Sequence, residues 1–318
     1  MTKSQYPEKS IPIWLDTDPG VDDAMAMALL FAIDEYDVKG ISAVAGNVEL
    51  EKTFENARNL TAFFGRKDVP VYPGAEKPLF RTPRTCYFIH GENGLGDVAL
   101  PPSDAPVETM PAWDALYEAA KAAKGELVLV AIGPLTNIAL ALSKHGSLPK
   151  LLKRIVIMGG SAKYGNATPA AEANIFCDPE AASTVFQCGV PIVMCGLDMT
   201  LQTVMSPEKL DEMGRMNPVC RFLRDAAQHG LAYSKAHGID GMALHDPTAV
   251  LYPLHPDIFG AEEAGVAVET KGTITYGKTV TDLYSDKQFP FKNALVVLEA
   301  DLPLLFMTVT DLLAKYGN

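Results

Sequence analysis

The chain has 318 residues, 48% of them hydrophobic and 21% charged, which is the balance of an ordinary globular protein and excludes a disordered or collagen-like one. Its 27 basic against 39 acidic residues give a net charge of −12, which opposes binding to nucleic-acid backbones or anionic lipid. The longest uninterrupted apolar run, Ala24 to Ile33, is too short to span a bilayer.

Apolar, β-branched runs alternate with helical stretches along the chain. IPIWLDT (11–17) predicts a first strand, followed by a turn at Asp18–Gly20 and a helix starting near Val21. A second strand, VKGISAVAG (38–46), precedes a helix over 50–65, and VPVYPG (69–74) adds a third. PAWDALYEAAKAAKG (111–125) reads as a helix leading into the strand ELVLVAIG (126–133). The helix after it, 134–146, has Pro134 in its first turn and Gly146 at its stop. RIVIMGG (154–160) and VPIVMCG (190–196) are further strands, separated by a helix that Asp178 caps and Pro179 opens. Beyond residue 200 the pattern changes. Residues 206–238 read as consecutive helices, 265–283 alternate like a hairpin, and NALVVLEAD (293–301) is a strand before a carboxyl-terminal helix.

Strands that are apolar throughout are buried on both faces, and their alternation with helices implies parallel crossovers. The expected fold is α/β: an open, doubly wound, mostly parallel sheet (Rossmann-like) with additional carboxyl-terminal helices and a β-hairpin. No Pro-, Gly- or Ser-rich linker divides the chain, so residues 1–318 read as a single domain.

The informative segment is IWLDTDPGVDDAMAMALL, where Asp16, Asp18, Asp22 and Asp23 crowd a strand-to-helix junction. Ligands of open α/β sheets bind at such carboxyl ends of strands. Clustered carboxylates repel one another unless a cation or a helix N-terminus offsets them. With no His or Cys nearby, a hard oxygen-seeking cation fits the group, either Ca²⁺ or Mg²⁺. Helix capping and turn chemistry alone would account for Asp22, Asp23 and the Asp-Pro-Gly turn. They do not account for Asp16 at the end of an apolar strand, beside Asp18. Other polar residues punctuate later strand ends and loops: Asn47, His90 in HGENGLGD, then Asn166, Glu172 and Asn174 in one loop, and His245 with Asp246 in ALHDPTAV. Singly each suits a turn, a loop or a cap, but the topology would bring them to one rim.

DTDPGVDDAMA resembles the amino-terminal signature of the inosine–uridine-preferring nucleoside hydrolases. The resemblance continues through AGN (45–47), HGENGLG (90–96), IGPLTNIALAL (132–142), MGG (158–160) to NIFCDPEAA (174–182), and HDP (245–247). Ser161 after MGG and Ala173 inside AEAN depart from the common pattern and bear on local pocket shape. The resemblance implies Ca²⁺-dependent hydrolysis of the N-glycosidic bond of ribonucleosides to free base and ribose. By it, Asp18, Asp23, Asp246 and the main-chain carbonyl of Ile132 would hold the Ca²⁺, with Asp18 also the general base that activates water. Asp22, Asn47, Met158, Asn166, Glu172 and Asn174 match ribose-contacting positions. His245 matches the acid that protonates the leaving base, His90 and Tyr233 would face the nucleobase, and Asp16 would orient the metal ligands. The chemistry suits these residue types: an N-ribosidic bond breaks through an oxocarbenium-like transition state that nearby anions stabilise, and an imidazole delivers a proton near neutral pH.

Two other readings compete. Asp16-Thr17-Asp18 has the form of an aspartyl-phosphate DxD, although the downstream residues of such an enzyme are not evident. The other is a ribose- or nucleoside-binding protein that keeps the metal but lacks turnover, against which the presence of both Asp18 and His245 argues. A nicotinamide-dinucleotide site is excluded, because no GxGxxG follows the first strand. The amino-terminal MTKSQYPEKS lacks the apolar stretch of an export signal, and five cysteines without a CxxC pair suit a reducing cytoplasm. The expected partner is a small-molecule ribonucleoside, with no nucleic acid and no membrane, and the resemblance suggests a homodimer or homotetramer.

Overall fold

Continuous apolar sequence does produce doubly buried strands. In β1 (Ile11–Thr17), Ile13 and Leu15 pack into one hydrophobic layer while Trp14 packs into the other. The computed structural model describes residues 10–284 and 288–317. Of the amino-terminal segment read above for an export signal, only Ser10 falls among them.

The strands that follow are β2 (Tyr36–Ala43), β3 (Val71–Pro73), β4 (Leu127–Ala131), β5 (Leu152–Met158) and β6 (Ile192–Cys195). Next come the short β7 (Val204–Met205) and β8 (Met242–Ala243), and then β9 (Phe259–Val268), β10 (Thr279–Asp282) and β11 (Ala294–Ala300). Nine of them form one sheet in the order β10-β9-β11-β6-β5-β4-β1-β2-β3, and β7 pairs with β8 apart from it. Pairing is parallel from β11 through to β3, and β9 runs antiparallel to both β11 and β10.

The same two-sided burial repeats in β4, where Val128 and Val130 face one layer and Leu127, Leu129 and Ala131 the other. Helices Val21–Ala32, Leu50–Phe63, Pro218–Ala236 and Leu302–Ala314 cover the first layer. Helices Ala112–Ala123, Thr136–Lys144 and Pro179–Phe186 cover the second. The doubly wound α/β sheet, the carboxyl-terminal helices and the hairpin are therefore as the sequence predicts. Among the described residues, no helix is long and apolar enough to cross a membrane.

Strand order fixes where a ligand can enter. From β1 the chain winds outward to β2 and β3, then returns to lay β4 on the other side of β1. Connections leave in opposite directions from these two neighbours, so a crevice opens beyond their carboxyl ends. The residues that continue β1 and β4 into it are Asp18 and Ile132.

Boundaries shift at several elements, and three of the shifts have a clear local reason. β2 stops at Ala43, because Val44 to Gly46 turn to hydrogen-bond Thr17, Ala75 and Val48. The helix expected from Pro134 starts at Thr136, since Gly133 and Pro134 first pass beside the Asp18 side chain. The hairpin begins at Phe259 rather than 265, and residues 269–278 link its two strands.

Candidate active site

Asp18 stands at the centre of the crevice and is buried. Its Oδ2 accepts the Asn47 main-chain N–H at 2.8 Å, and the Asn47 side-chain amide donates to the Asp18 carbonyl at 3.1 Å. Gly46 makes this approach possible, because a Cβ there would lie 2.0 Å from Asp18 Oδ2. The other carboxylate oxygen, Oδ1, is buried with no hydrogen-bond partner. Burial raises the Asp18 pKa well above the usual carboxylate range, the Asp23 charge adds to the rise, and the Asn47 amide opposes it.

Helix Val21–Ala32 starts two residues beyond Pro19 and points its N-terminus into the crevice, where its dipole favours negative charge. Asp23 serves this end of the helix. Its Oδ2 accepts Gly20 N–H at 2.9 Å and the Asn47 amide at 3.2 Å, and its Oδ1 accepts the Thr17 hydroxyl at 2.5 Å. Burial first, and then the Asp22 charge, lift the Asp23 pKa to about 6. His90 reaches across from the end of the short helix Tyr87–His90 so that its Nδ1 accepts Val21 N–H at 3.1 Å. That bond leaves the proton of a neutral ring on Nε2, and burial lowers the His90 pKa to about 4.

Asp246 arrives from the start of helix His245–Leu251. Carboxylate oxygens of Asp22, Asp23 and Asp246 lie within 4.8 Å of one another. Burial and the charges of Asp22, Asp23 and Asp18 raise the Asp246 pKa well above the ordinary range. Beside it, His245 Nδ1 and the Thr200 hydroxyl are 2.8 Å apart. Burial depresses the His245 pKa and the Asp22 charge works against the depression.

On the β4 and β5 side, the Asn174 amide donates to the Ile132 carbonyl at 2.9 Å and to the Met158 carbonyl at 3.2 Å. Glu172 is buried and caps the helix Ala173–Cys177, its two oxygens accepting Asn174 N–H and Ile175 N–H at 2.9 and 3.1 Å. Glu172 also accepts Gly160 N–H at 2.9 Å. Asn166 Oδ1 accepts Ala173 N–H at 2.9 Å, and Asn166 is exposed. These residues make a short polar wall whose carboxylate and amides already order one another. Tyr233, on helix Pro218–Ala236, stacks on His237 at 4.0 Å and leans on Phe88 at 4.9 Å. Phe88 lies in the same short helix Tyr87–His90 as His90.

Asp16 is fully buried behind the crevice, its Oδ1 accepting the Ser42 hydroxyl and, at 2.8 Å, the Asn137 amide. Burial lifts its pKa to about 7 against those two donors. So enclosed a carboxylate does not suit the nucleophile of an aspartyl-phosphate enzyme.

The donor set fits a hard divalent cation. Carboxylate oxygens of Asp22, Asp23 and Asp246 gather within 4.8 Å, and Asp18 Oδ1 is buried without a partner, which is oxygen chemistry that such a cation would satisfy. Asp22, expected among the sugar contacts, gathers with Asp23 and Asp246 in an acidic trio that does not include Asp18. Sequence reading missed Thr17, Ser42, Asn137 and Thr200, which hold Asp23, Asp16 and His245 in place. Their only signal is a polar side chain at or beside a strand end, which any turn can show.

The sequence model of the family described as inosine-uridine preferring nucleoside hydrolase matches residues 13–306. The non-specific ribonucleoside hydrolase RihC of Escherichia fergusonii is 41% identical over 305 residues, covering 96% of this chain and 99% of that protein. Its namesake from Escherichia coli SMS-3-5 is 40% identical over 304 residues, covering 96% and 98%. Two solved structures superpose with a TM-score of 0.90 at 32% identity. The plant nucleoside hydrolase PpNRh1 is aligned over 97% of this chain and 99% of its own. The purine-preferring ribonucleoside hydrolase from Gardnerella vaginalis is aligned over 96% and 99%.

Proposed function

The chain belongs to the inosine-uridine preferring nucleoside hydrolase family and is a hydrolase of N-glycosyl compounds, and from that premise we propose that it splits inosine, uridine and cytidine type ribonucleosides into base and ribose with Ca²⁺. Asp18, Asp23, Asp246 and the Ile132 carbonyl would hold the ion, with Asp22 in the same acidic group. The observation that carries this reading is the partnerless, buried Asp18 Oδ1, on a carboxylate whose pKa burial and the Asp23, Asp22 and Asp16 charges together raise. When bound, the cation supplies positive charge that acidifies water and takes up sugar hydroxyl oxygens.

The chain's own groups do the rest. Asp18 takes the proton of the attacking water, its Oδ2 steadied by Asn47 N–H. Anions around the sugar stabilise the positive charge that grows there as the bond to the base lengthens. Asp22, Asn47, Met158, Asn166, Glu172 and Asn174 orient the ribose, which converts an encounter into a fixed geometry. His245 protonates the departing base from Nε2, since its Nδ1 is engaged with Thr200. His90 offers a neutral Nε2–H towards the base, and Tyr233 closes that side. Relatives bear the names non-specific and purine-preferring, so the base pocket is the variable part.

Five free cysteines agree with a cytoplasmic setting, and one domain over 1–318 agrees with a sheet that both hydrophobic layers share. A homodimer or homotetramer is the form to test by light scattering. The decisive experiment measures ribose and free base released from a panel of purine and pyrimidine ribonucleosides, before and after chelation and with Ca²⁺ restored. Activity in demonstrably metal-free protein would overturn the calcium reading, and absence of ribose release from every nucleoside would overturn the reaction.

A further inference from the structure

Asn137, named above only for its bond to Asp16, is buried and uses three of its four hydrogen-bonding positions. Its Nδ2 donates to Asp16 Oδ1 at 2.8 Å and to the Ala43 carbonyl at 3.1 Å, and its Oδ1 accepts Ala75 N–H at 2.8 Å. Asp16 belongs to β1, Ala43 ends β2, and Ala75 lies just past β3. Asn137 itself sits in the first turn of the helix after β4. One amide thus joins the carboxyl ends of four adjacent strands.

These are the places where the ladders run out. Pairing of β1 with β2 ends at Thr17 and Ala43, and pairing of β2 with β3 ends at Ala43 and Pro73. Pairing of β1 with β4 ends at Asp16 and Ala131. The strands must separate there to open the crevice, and buried main-chain groups that lose ladder partners need others. The fit is close, because a Cβ at Gly74 would stand 2.3 Å from the Asn137 amide and 2.1 Å from the Ala43 carbonyl.

Both supports of the Asp18 carboxylate start at atoms that Asn137 holds. Asp16 lies in β1, two residues before Asp18, which follows the end of that strand. Ala43 opens the turn whose later residue, Asn47, donates its N–H to Asp18 Oδ2. We infer that Asn137 is a positioning residue for the hydrolytic reaction, clamping the splayed ends of β1, β2 and β3 so that the Asp18 carboxylate stays aimed into the crevice. The inference rests on the catalytic reading of Asp18. A purely structural amide would lower stability and leave turnover by folded protein unchanged. A positioning amide acts on kcat, because an error near 1 Å in a reacting group costs on the order of 10²-fold.

The test is Asn137→Asp, which keeps the shape and turns both donors into acceptors facing Asp16 and Ala43, together with Asp16→Asn/Asn137→Asp, which restores one donor across that pair. Circular dichroism and melting first establish the folded fraction, and kcat and KM for inosine and uridine follow at saturating Ca²⁺. Asn137→Asp is expected to lose tenfold or more in kcat with a smaller change in KM, and the double variant to recover at least a third of that loss on a logarithmic scale. If Asn137→Asp does not fold, Asn137→Ala, which removes the clamp without placing like charges together, carries the same expectation for kcat and KM. A kcat loss below tenfold in folded protein, a loss borne by KM, or a double variant no better than Asn137→Asp overturns the inference. Asp18→Asn measured in parallel separates the two levels: full activity there removes the catalytic reading itself, whatever Asn137 does.

Discussion

Gly46 offers a way to disturb Asp18 without changing any ionisable group. Its φ is not in the left-handed region, so alanine adds only a methyl group. That methyl carbon would lie 2.0 Å from Asp18 Oδ2, 2.8 Å from its Cγ and 2.9 Å from Pro134 Cδ. Close carbon–oxygen contacts settle at about 3.3 Å or more, so the carboxylate must retreat by roughly 1 Å. The 2.8 Å bond from Asn47 N–H would then stretch beyond hydrogen-bond range. A displacement of that size in a reacting group costs on the order of 10²-fold in rate. Overpacking costs about 1–3 kcal/mol, and the unfolding entropy of a 318-residue chain converts that to roughly 1.5–4.5 °C in Tm. Gly46→Ala should therefore fold and melt a few degrees early while kcat/KM for uridine and inosine falls about a hundredfold. Gly146→Ala is the matched control, because a Cβ there meets nothing within 4 Å, and it should keep wild-type kinetics. Steady-state release of reducing sugar, with scanning calorimetry on the same samples, provides both numbers. A Gly46→Ala enzyme within threefold of wild type would refute the argument that the position of this carboxylate limits the reaction.

Further outcomes follow from the same site. Chelation should abolish activity and Ca²⁺ should restore it, and at a hundred times its Kd the ion should add about 2.7 kcal/mol, roughly 4 °C in calorimetry. Asp16 and Asp23 are raised to about 7 and about 6, so without a cation the folded chain keeps protons that the unfolded chain releases above about pH 4. Their contribution is thus complete below that pH and lost as pH rises through 6 and 7; urea unfolding of chelated protein from pH 4.5 to 7.5 should show falling stability, and a steady rise would contradict this. His245→Ala should lose roughly 10²–10⁴-fold in kcat on inosine and uridine but stay close to wild type on 4-nitrophenyl riboside, whose phenolate leaves unaided; equal losses on both would remove His245 from the chemistry. Finally, 2′-deoxyuridine should be a very poor substrate, because a missing hydroxyl leaves site groups unpaired, and a kcat/KM comparable to that of uridine would contradict the sugar contacts.

Much of this architecture is legible in the sequence because burial on both faces leaves a one-dimensional trace. VLVAI and RIVIM have no polar alternation, and each becomes a central strand. Asp178 with Pro179 forecasts a helix start, and its carboxylate does accept Ala181 N–H. Lateral strand order leaves no such trace: nothing in NALVVLEAD says that β11 lies between β6 and β9. The acidic turn is equally plain, since four aspartates so close together have few uses. Partnerships across the crevice are not, for His90 meets Val21 and Thr200 meets His245 only when distant loops converge. Glu172 shows the limit from the other side. Besides the sugar contact that the resemblance implies, it caps the helix Ala173–Cys177 through Asn174 and Ile175 N–H and accepts Gly160 N–H, bonds that no sequence pattern announces.

The two rims of the large sheet have a bearing on how molecules of this protein meet one another. One rim is β3, three residues ending in Pro73, and the other is β10, four residues long. A rim strand with free N–H and C=O groups is a template for a strand from another chain, and brevity or proline blunts it. Here a visiting strand would find only a few rungs on either side. Stable self-association must then be made by side chains on helices and loops, and a chance encounter between partly unfolded copies finds little ladder on these rims to extend into a fibril.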